Sequence, residues 1–367
     1  MSMFEARLGA IPADFYHRAD VLDAEIEHVF KPAWVCAGFT EDLKNPNDFL
    51  TTRLGKHSIV VQNMKGEIRA FRNVCAHRFS RIQCDAHGNR PLTCPYHGWT
   101  YDGEGKPIGI PMNGQSFQFD DADRARLALD QYEVSIVGNF VFVRMVPGGE
   151  DLKTFLGAYY EELEHLSAVC TDRVENERFE WRGNWKLSMD NSGEAYHVPL
   201  VHSENFQLIL NLDLEISTEK EHSRYLGTLK ERSIKWWAGV CKSIGVKRSE
   251  RYQDYVSFLI YPNIIITFSY GAFMTFQTFD PVAPDRFVIK TAAWLAENRS
   301  GAARPVVHEA LRAFTAHVRD DDEKILAVNQ DGVEDVETIR PPMLGVIEGR
   351  TKHFQQAYMA HMQGRVE

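Results

Sequence analysis

The sequence predicts an α+β protein built from two domains. Residues 39–150 consist of short runs of β-forming residues separated by Gly and Pro, which is typical of a small β domain. Residues 151–367 contain two long stretches with helical periodicity and an alternating run that indicates a β-hairpin. At 367 residues, of which 44% are hydrophobic and 25% charged, the chain has the length and composition for two hydrophobic cores.

The first 38 residues are predicted to be a helical lead-in. Val21, Ile26 and Val29 lie at helix-like spacing, and Pro32 stops the pattern. We expect this lead-in to pack on the second domain. The β domain that follows is predicted from β-type runs at residues 58–61, 68–71 and 134–143.

Three patterns define the second domain. Residues 152–169 carry apolar side chains at intervals of three and four, which predicts a linker helix. Residues 264–279 alternate between apolar and polar side chains around Gly271, which predicts a hairpin. Residues 306–329 return to an apolar stripe with helical spacing.

Charge and cysteine content narrow the functional classes. The formal net charge is −10, so the chain lacks the basic face that a nucleic-acid or anionic-membrane partner requires. Six scattered cysteines are too few for a disulfide framework in a chain of this length. The N-terminal residues have no apolar signal segment. These observations predict a cytoplasmic protein without nucleic-acid or membrane partners.

Two short segments each pair a thiol with an imidazole. Cys75 and His77 form the first pair, Cys94 and His97 form the second, and sixteen residues separate His77 from Cys94. If the thiolates hold one iron and the imidazoles the other, the four side chains form a Rieske [2Fe–2S] centre. Structural zinc is the alternative, but zinc loops usually pair Cys with Cys and His with His. The sequence therefore predicts an iron–sulfur cluster that transfers single electrons.

A second metal motif contains His197 and His202. On an ideal helix, residues five apart diverge by about 140°. Pro199 lies between them. A proline that opens or kinks the helix can turn the second imidazole toward the first. Two imidazoles and one carboxylate form the facial arrangement that binds Fe(II) and leaves positions open for O2 and substrate.

The carboxylate for this site has two sources in the sequence. Glu194 lies three residues before His197, either as a ligand or as a partner that orients an imidazole. The other source is the acidic run at residues 320–323, which taken alone is typical of a solvated surface. On a helical projection Asp322 lies about 40° and Asp321 about 60° from the apolar stripe. Asp322 is therefore the better inward ligand, and Asp321 remains the alternative.

Apolar side chains near these motifs predict the substrate pocket. One group follows the second histidine and the other lies in the predicted hairpin, and both suit an aromatic ring. The members of the predicted pocket are Phe206, Leu208, Ile209, Ile266, Phe268 and Phe276. Alternatively, Trp236, Trp237 and Tyr270 build an aromatic cage for a quaternary ammonium group.

The motifs together resemble a known family. The segments C-A-H-R, C-P-Y-H-G-W, N-W-K, E-A-Y-H-V-P-L-V-H and D-D-D-E, in this order, resemble the large oxygenase subunits of Rieske non-haem iron oxygenases. The resemblance extends from about residue 34 to residue 330. It implies a Rieske domain followed by a catalytic domain in which a long antiparallel sheet wraps a helix, the helix-grip or START-like fold. It also implies the metal ligands. The [2Fe–2S] ligands would be Cys75, His77, Cys94 and His97. The mononuclear iron ligands would be His197, His202 and Asp322.

The same resemblance implies an electron path and partners. In the family, three subunits pack head to tail, and a carboxylate at the position of Glu194 links a cluster histidine of one subunit to an iron-ligand histidine of the next. Many members have Asp there, whereas this chain has Glu, as do relatives that oxidise carnitine, betaine and choline. Electrons come from an NAD(P)H-dependent reductase, in some members through a ferredoxin, and some members add a small β subunit.

The expected function is therefore that of a terminal oxygenase component. It would use O2 and reductase-derived electrons to hydroxylate, dihydroxylate or dealkylate a small substrate, for which we favour an aromatic compound. A quaternary-ammonium monooxygenase is the alternative within this class. A Rieske electron carrier is the alternative from another class, although such a carrier needs only the β domain.

Overall fold

The computed structural model describes residues 3–299, 301–337 and 340–363. The chain divides into two compact units, one of residues 30–155 and one of residues 1–29 together with 156–367. The boundary near the N-terminus falls at residue 29 because the segment Val35–Phe39 forms a strand of the first unit. No described helix combines the length and the apolar character needed to cross a membrane.

The unit of residues 30–155 is built on an antiparallel seven-stranded sheet in the order β1-β9-β8-β4-β3-β2-β5. A two-stranded hairpin of β6 and β7 stands beside it. The strands of this unit are β1 Val35–Phe39, β2 Asp48–Leu54, β3 His57–Met64, β4 Glu67–Arg72, β5 His87–Asn89, β6 Thr100–Tyr101, β7 Pro107–Gly109, β8 Gln131–Val137 and β9 Phe140–Arg144. The three β-type runs predicted from the sequence lie in β3, β4 and the β8–β9 hairpin, so this part of the prediction is confirmed.

The other unit contains a second antiparallel seven-stranded sheet, in the order β10-β16-β15-β14-β13-β12-β11. Its strands are β10 Cys170–Arg182, β11 Glu215–Glu219, β12 His222–Gly227, β13 Tyr255–Ile260, β14 Ile264–Ser269, β15 Phe273–Ala283 and β16 Arg286–Ala296. The predicted hairpin is confirmed as β14 and β15, which pair from Ile264 opposite Thr278 to Ser269 opposite Phe273.

The helices of the chain are α1 Met3–Ala6, α2 Ala19–Glu25, α3 Asp121–Arg126, α4 Leu152–Leu156, α5 Tyr159–Val169, α6 Trp185–Ser192, α7 Val198–Val201, α8 Glu231–Ile244, α9 Arg304–Asp335 and α10 Gly349–Met362. The predicted linker helix is present as α4 and α5, which Gly157 separates because its φ of +55° lies in the left-handed region.

Helix α9 spans 32 residues and packs on the second sheet. Its buried face carries Arg319, Leu326 and Gln330, spaced as one helical stripe requires. Arg319 donates to Glu175 of β10 at 2.7 Å, and the Gln330 side chain accepts from the backbone N–H of Asn184 at 2.7 Å. The predicted late helix is therefore confirmed, and it connects the sheet to the segment before α6.

Helix α6 is held by a buried ion pair. Lys186 Nζ lies 2.6 Å from Glu25 Oε1, and both side chains are completely buried. Trp185 and Tyr358 also donate hydrogen bonds to the Glu25 carboxylate, at 2.8 and 2.6 Å. A buried charge of this kind requires such compensation, so the network fixes α6 in one position.

Candidate active site

The two Cys/His segments of the first unit form loops with the same backbone frame. In each loop the cysteine N–H donates to the carbonyl five residues later, and the cysteine carbonyl accepts from the N–H four residues later, at 2.8–3.0 Å. The residue four after the cysteine has positive φ in both loops, +62° at Phe79 and +73° at Gly98. The two loops therefore present their cysteines in equivalent turns, although the histidines follow at different spacings.

The side chains of these loops separate into a thiol end and an imidazole end. Cys75 and Cys94 are 1% and 2% exposed, whereas His97 lies at the surface and His77 is half-buried. The two imidazole ring centroids lie 4.6 Å apart, and His77 stacks on Trp99 at 4.9 Å. This arrangement matches a cluster whose sulfur-ligated iron is inside and whose imidazole-ligated iron faces outward.

Tyr101 contacts the thiol end of the loops. Its hydroxyl lies 3.0 Å from Cys75 Sγ and accepts a hydrogen bond from the backbone N–H of Ala76 at 3.0 Å. Burial raises the pKa of Cys75, as expected for a thiol that has no cation beside it. The pKa of His77 is lowered, first by burial and then by the neighbouring His97 and Arg78. His77 therefore favours the neutral, ligating form.

The four loop residues and the three later ligands differ in how closely their side chains converge. Among the described residues, the Cys, His and acidic side chains that converge within single-ion distance are His197, His202 and Asp322, whose candidate ligand atoms lie within 4.8 Å of one another. The four loop residues do not converge in this way, as expected if a larger two-iron cluster stands between them. The donor sets therefore fit a [2Fe–2S] cluster in one unit and a mononuclear ion in the other.

The backbone around His197 and His202 differs from the sequence prediction. We expected Pro199 to open or kink a helix that carries both histidines, but α6 ends at Ser192, and His197 directly precedes the separate short helix α7. Pro199 occupies the first turn of α7, where its missing N–H costs nothing. The two imidazole centroids lie 5.1 Å apart because His197 and His202 flank this single turn.

Glu194 is folded back onto its own loop. Its Oε1 lies 2.5 Å from His197 Nδ1, and its Oε2 accepts from the backbone N–H groups of Tyr196 and His197. The contact at Nδ1 leaves Nε2 of His197 for a metal ion. Glu194 thus takes the orienting position beside an imidazole, which is one of the two roles left open by the sequence.

Asp321 and Asp322 lie on opposite sides of the His202 ring. Asp322 Oδ1 is 3.1 Å from His202 Nε2, whereas Asp321 Oδ2 is 3.5 Å from Nδ1. Burial lowers the pKa of His202, but the two carboxylates outweigh burial, and the net pKa is raised. Such anionic surroundings favour a cation, which a metal ion supplies when bound. With Asp322 as ligand, Asp321 is placed to orient the ring from behind.

Two asparagines hold these acids in place. Asn191 donates to Asp322 Oδ1 and Asn205 donates to Asp321 Oδ2, each at 2.9 Å. Sequence reasoning missed both residues. One lies at the end of α6 and the other three residues after His202. These positions could have identified them, because short amides beside a metal motif commonly orient carboxylate ligands.

A cavity of about 120 Å³ opens beside the three converging ligands. Its floor is one face of the sheet, and its other walls come from α7, α9 and the loop after His202. The sheet residues lining it are Tyr225, Tyr255, Ser257, Ile265, Thr267, Thr275, Gln277 and Thr291. An engineered cavity of about 150 Å³ holds one benzene molecule, so this space suits a compound of about one ring.

Three of the six predicted pocket residues lie on the side of the sheet away from the cavity. Phe206 lines the cavity as expected. Ile266, Phe268 and Phe276 do not line it, because successive strand residues alternate in direction and these three lie on the opposite, fully covered face. The apolar half of the hairpin therefore faces away from this cavity, and the polar half faces it.

The other two predicted pocket residues are also displaced from the cavity. Leu208 is 42% exposed, and Ile209 packs against an apolar cluster that contains Tyr255 and Trp237. The predicted aromatic cage does not form beside the metal ligands. Trp237 stacks on Tyr270 at a centroid distance of 6.2 Å inside that apolar cluster, and Trp236 is 46% exposed.

A second cavity, of about 410 Å³, lies on the other side of Glu194 and His197. It is lined by parts of α6, α9 and α10 and by the segment 340–344. Asn191, Glu194 and His197 line both cavities, so these three residues form a shared wall.

Comparison with known families gives two matches along the chain. Residues 33–133 match the family model described as the Rieske [2Fe-2S] domain, and residues 170–364 match the model described as the ring hydroxylating alpha subunit (catalytic domain). The second match covers more than half of the chain. Cys75, His77, Cys94 and His97 fall in the first matched region, and His197, His202 and Asp322 fall in the second.

Individual proteins with related sequences act on different kinds of substrate. A chloroplastic choline monooxygenase of Amaranthus tricolor is 26% identical over 336 residues, which cover 88% of this chain and 71% of that protein. The large subunit of an anthranilate 1,2-dioxygenase of Acinetobacter baylyi is 30% identical over 200 residues, covering 52% and 42%. The matched region of several such relatives is about half of their length or less.

Solved structures share the fold across nearly the whole chain. The quaternary ammonium Rieske monooxygenase CntA superimposes with a TM-score of 0.81 at 20% identity, covering 98% of both chains. Naphthalene 1,2-dioxygenase from Rhodococcus sp. superimposes with a TM-score of 0.76 at 19% identity, covering 96% of this chain and 94% of that one. At these identities the likeness establishes the fold.

Proposed function

Because this chain belongs to the ring-hydroxylating alpha subunits, the large subunits of Rieske oxygenases, we propose that it is the terminal oxygenase for a small aromatic substrate. The observation that carries the proposal is the cavity of about 120 Å³ directly beside His197, His202 and Asp322. A site for mononuclear iron and a space for one ring are adjacent, which is the arrangement that oxygen insertion into a bound compound requires.

We assign the cofactors of this family to the donor sets described above. Cys75, His77, Cys94 and His97 would hold the Rieske cluster, with the imidazoles at the exposed edge. His197, His202 and Asp322 would hold the mononuclear iron. When bound, the cluster supplies single electrons and the iron supplies dioxygen activation.

The residues around the ligands have separate tasks in this proposal. Glu194 fixes the orientation of His197 through its contact at Nδ1, and Asp321 places a negative charge 3.5 Å from His202 Nδ1. Phe206 and Ile265 supply apolar surface to the cavity, which excludes water from the bound substrate. The hydroxyl groups on the sheet face orient the polar part of the substrate.

Rieske oxygenases take their electrons from a reductase or ferredoxin, and they oligomerise. For this chain we propose an NAD(P)H-dependent reductase, with or without a ferredoxin, and a homotrimer, with or without a small β subunit. The shared wall supports the trimer, because Glu194 can be reached from the larger cavity as well as from the side of the metal ligands. A pyridine-nucleotide partner and six free cysteines suit the cytoplasm.

A quaternary-ammonium monooxygenase is the second candidate. The similarity to choline, betaine and carnitine monooxygenases and the Glu at position 194 favour it. Trp236, Trp237 and Tyr270 contact one another but do not line the described cavity, so the cage predicted from the sequence does not lie beside the metal ligands. The aromatic side chains that line the cavity are Phe206, Tyr225 and Tyr255. A pure electron carrier is disfavoured, because it leaves the cavity and its three converging ligands without a role.

The test is substrate-dependent oxygen uptake. Purified protein would be supplied with a surrogate reductase, NADH and a panel of aromatic acids, aromatic amines and trimethylammonium compounds. We expect uptake and a hydroxylated product with an aromatic compound, and loss of both in His197→Ala. Turnover of trimethylammonium compounds alone would select the second candidate. An iron and sulfide content of one cluster with no additional iron, combined with no turnover, would select the electron carrier.

A further inference from the structure

Two buried arginines lie beside the cavity, and only one of them is paired with an acid. Arg319 lines the cavity and lies 2.7 Å from Glu175. The same carboxylate accepts hydrogen bonds from Thr315 at 2.8 Å and Thr291 at 3.1 Å. The charge of Arg319 is therefore compensated within the protein.

Arg350, at the start of α10, has no such partner. Its side chain is completely buried, with Nε donating to Ser223 Oγ at 3.2 Å and Nη1 donating to Ser257 Oγ at 3.3 Å. Nη2 has no hydrogen-bond partner, and no carboxylate of the described residues lies within 4.0 Å of the guanidinium. Burial lowers the pKa of Arg350 to about 10, so the group is still charged at neutral pH. A buried charge without a counter-ion is costly, and a protein that retains one commonly uses it.

The guanidinium lies directly behind the cavity wall. It stacks over the Tyr225 ring at 4.5 Å and donates to Ser257, and both of these residues line the cavity. Tyr225, Ser257, Thr267 and Thr275 are consecutive cross-strand partners, so their hydroxyl groups form a row across the same face of the sheet. Ser257 Oγ accepts from Arg350, and its own proton is given to the Tyr225 hydroxyl, so a carboxylate in the cavity would take over this proton from Tyr225.

We propose that this wall is an anion subsite and that the substrate carries a carboxylate. The carboxylate would accept hydrogen bonds from Ser257 and Tyr225, with the charge of Arg350 behind them. The inference rests on the proposed function and narrows its substrate class to an aromatic acid. A trimethylammonium group would meet an uncompensated positive charge at this wall, so the same feature discriminates against the second candidate.

Binding of matched ligands tests the charge preference without requiring turnover. Isothermal titration calorimetry of the purified full-length protein would compare benzoate with benzamide, which has nearly the same shape and no charge, and with phenyltrimethylammonium. We expect benzoate to bind at least about tenfold more tightly than benzamide. Equal affinities, tighter binding of the cation, or no binding of either benzoate or phenylacetate would overturn the proposal.

A matched pair of variants separates recognition from a structural role. Ser257 and Ser223 each accept one hydrogen bond from Arg350 and each is buried, but only Ser257 lines the cavity. We expect Ser257→Ala to lose about tenfold in benzoate affinity and Ser223→Ala to lose less than about twofold. Equal losses of benzoate affinity in the two variants would mean that Arg350 has only a structural role. Arg350→Gln should abolish the preference for benzoate over benzamide, and if that variant fails to fold, the serine pair still decides.

The two proposals fail in different ways. If benzoate binds in a charge-dependent way but no aromatic acid causes oxygen uptake, the anion subsite is supported and the proposed reaction is wrong. Oxygen uptake on a neutral aromatic compound, together with equal binding of benzoate and benzamide, would retain the reaction and reject the subsite.

Discussion

The molecule contains two pairs of histidines whose surroundings differ in charge and in support. His77 and His97 stand on loops near the surface, beside each other and beside Arg78, and the pKa of His77 is lowered. His197 and His202 flank a short helix, each with a carboxylate at Nδ1, and the pKa of His202 is raised. In the first pair, burial and neighbouring cationic groups lower the pKa of His77, whereas the second pair lies among carboxylates.

This difference follows from what each site has to hold. In the first unit the thiolates supply the negative charge, so the imidazoles need no acids of their own. In the second unit a single divalent ion needs anionic ligands and firmly oriented imidazoles, which α9 and the Glu194 loop provide. Loops suffice for the cluster, whereas the mononuclear site requires a long helix packed on a sheet.

The largest effect is expected from removing a histidine of the second pair. His202→Ala should lower the iron content from about three to about two atoms per chain, abolish turnover and leave the visible spectrum of the cluster unchanged. Iron analysis and absorption spectroscopy check this outcome. His361, which is 37% exposed on α10 and lies 3.8 Å from Glu221, is the control, because His361→Ala should retain all three iron atoms. Full turnover by His202→Ala would show that the two sites have been assigned wrongly.

The two neighbouring acids should differ although they touch the same ring. Asp322→Asn removes a ligand and should empty the mononuclear site, whereas Asp321→Asn removes only the partner of His202 Nδ1. Loss of such a partner typically weakens metal affinity by about 10–100-fold. Iron titration of the apo variants would measure both effects. The reverse order of severity would make Asp321 the ligand.

Glu194 tests whether the carboxylate beside His197 does more than orient the ring. Glu194→Gln keeps the size of the side chain and should retain both metal sites, while turnover should fall by about 10–100-fold. Single-turnover measurements with a pre-reduced cluster would show whether the loss lies in electron transfer. If Glu194→Gln loses iron instead, its role is confined to holding His197.

The smallest effect is expected at the thiol end of the cluster. Tyr101→Phe removes the hydroxyl that lies 3.0 Å from Cys75 Sγ, and loss of a hydrogen bond to a cluster sulfur should lower the reduction potential. Redox titration followed by absorption would detect the shift, while turnover should change only a few-fold. Tyr132→Phe in β8 provides a control in the same unit. Matching potentials in the two variants would remove Tyr101 from the list of residues that tune the cluster.

The sequence was most informative where chemistry depends on spacing. The Cys/His pairs, the two later histidines and the helical phase of Asp322 were all recognisable, because ligands for one metal group leave a local pattern. The cavity was not predictable in the same way. In the β14–β15 hairpin both faces are covered, so apolar character could not reveal which half faces the cavity. Thr267 and Thr275 were visible as the alternating polar half, but only the sheet register places them beside Ser257.

Arg350 illustrates a second limit of local patterns. Nothing in its immediate sequence distinguishes it from other arginines. Its importance comes from long-range packing, because its two hydrogen-bond partners lie on β12 and β13, about a hundred residues earlier in the chain. A buried charge without a counter-ion can be recognised only once the fold has assembled its surroundings.

Helix α9 has a consequence for how this chain tolerates changes in length. It positions Arg319 against Glu175, Asp322 against His202 and Gln330 against the backbone before α6, within a single helical phase. Inserting or deleting one residue between positions 319 and 330 would rotate everything beyond it by about 100°, which a neighbouring residue could not correct. Changes in length are therefore expected to be accepted at the two ends of α9 and rejected within it, so that related chains keep this interval constant while their surface loops vary.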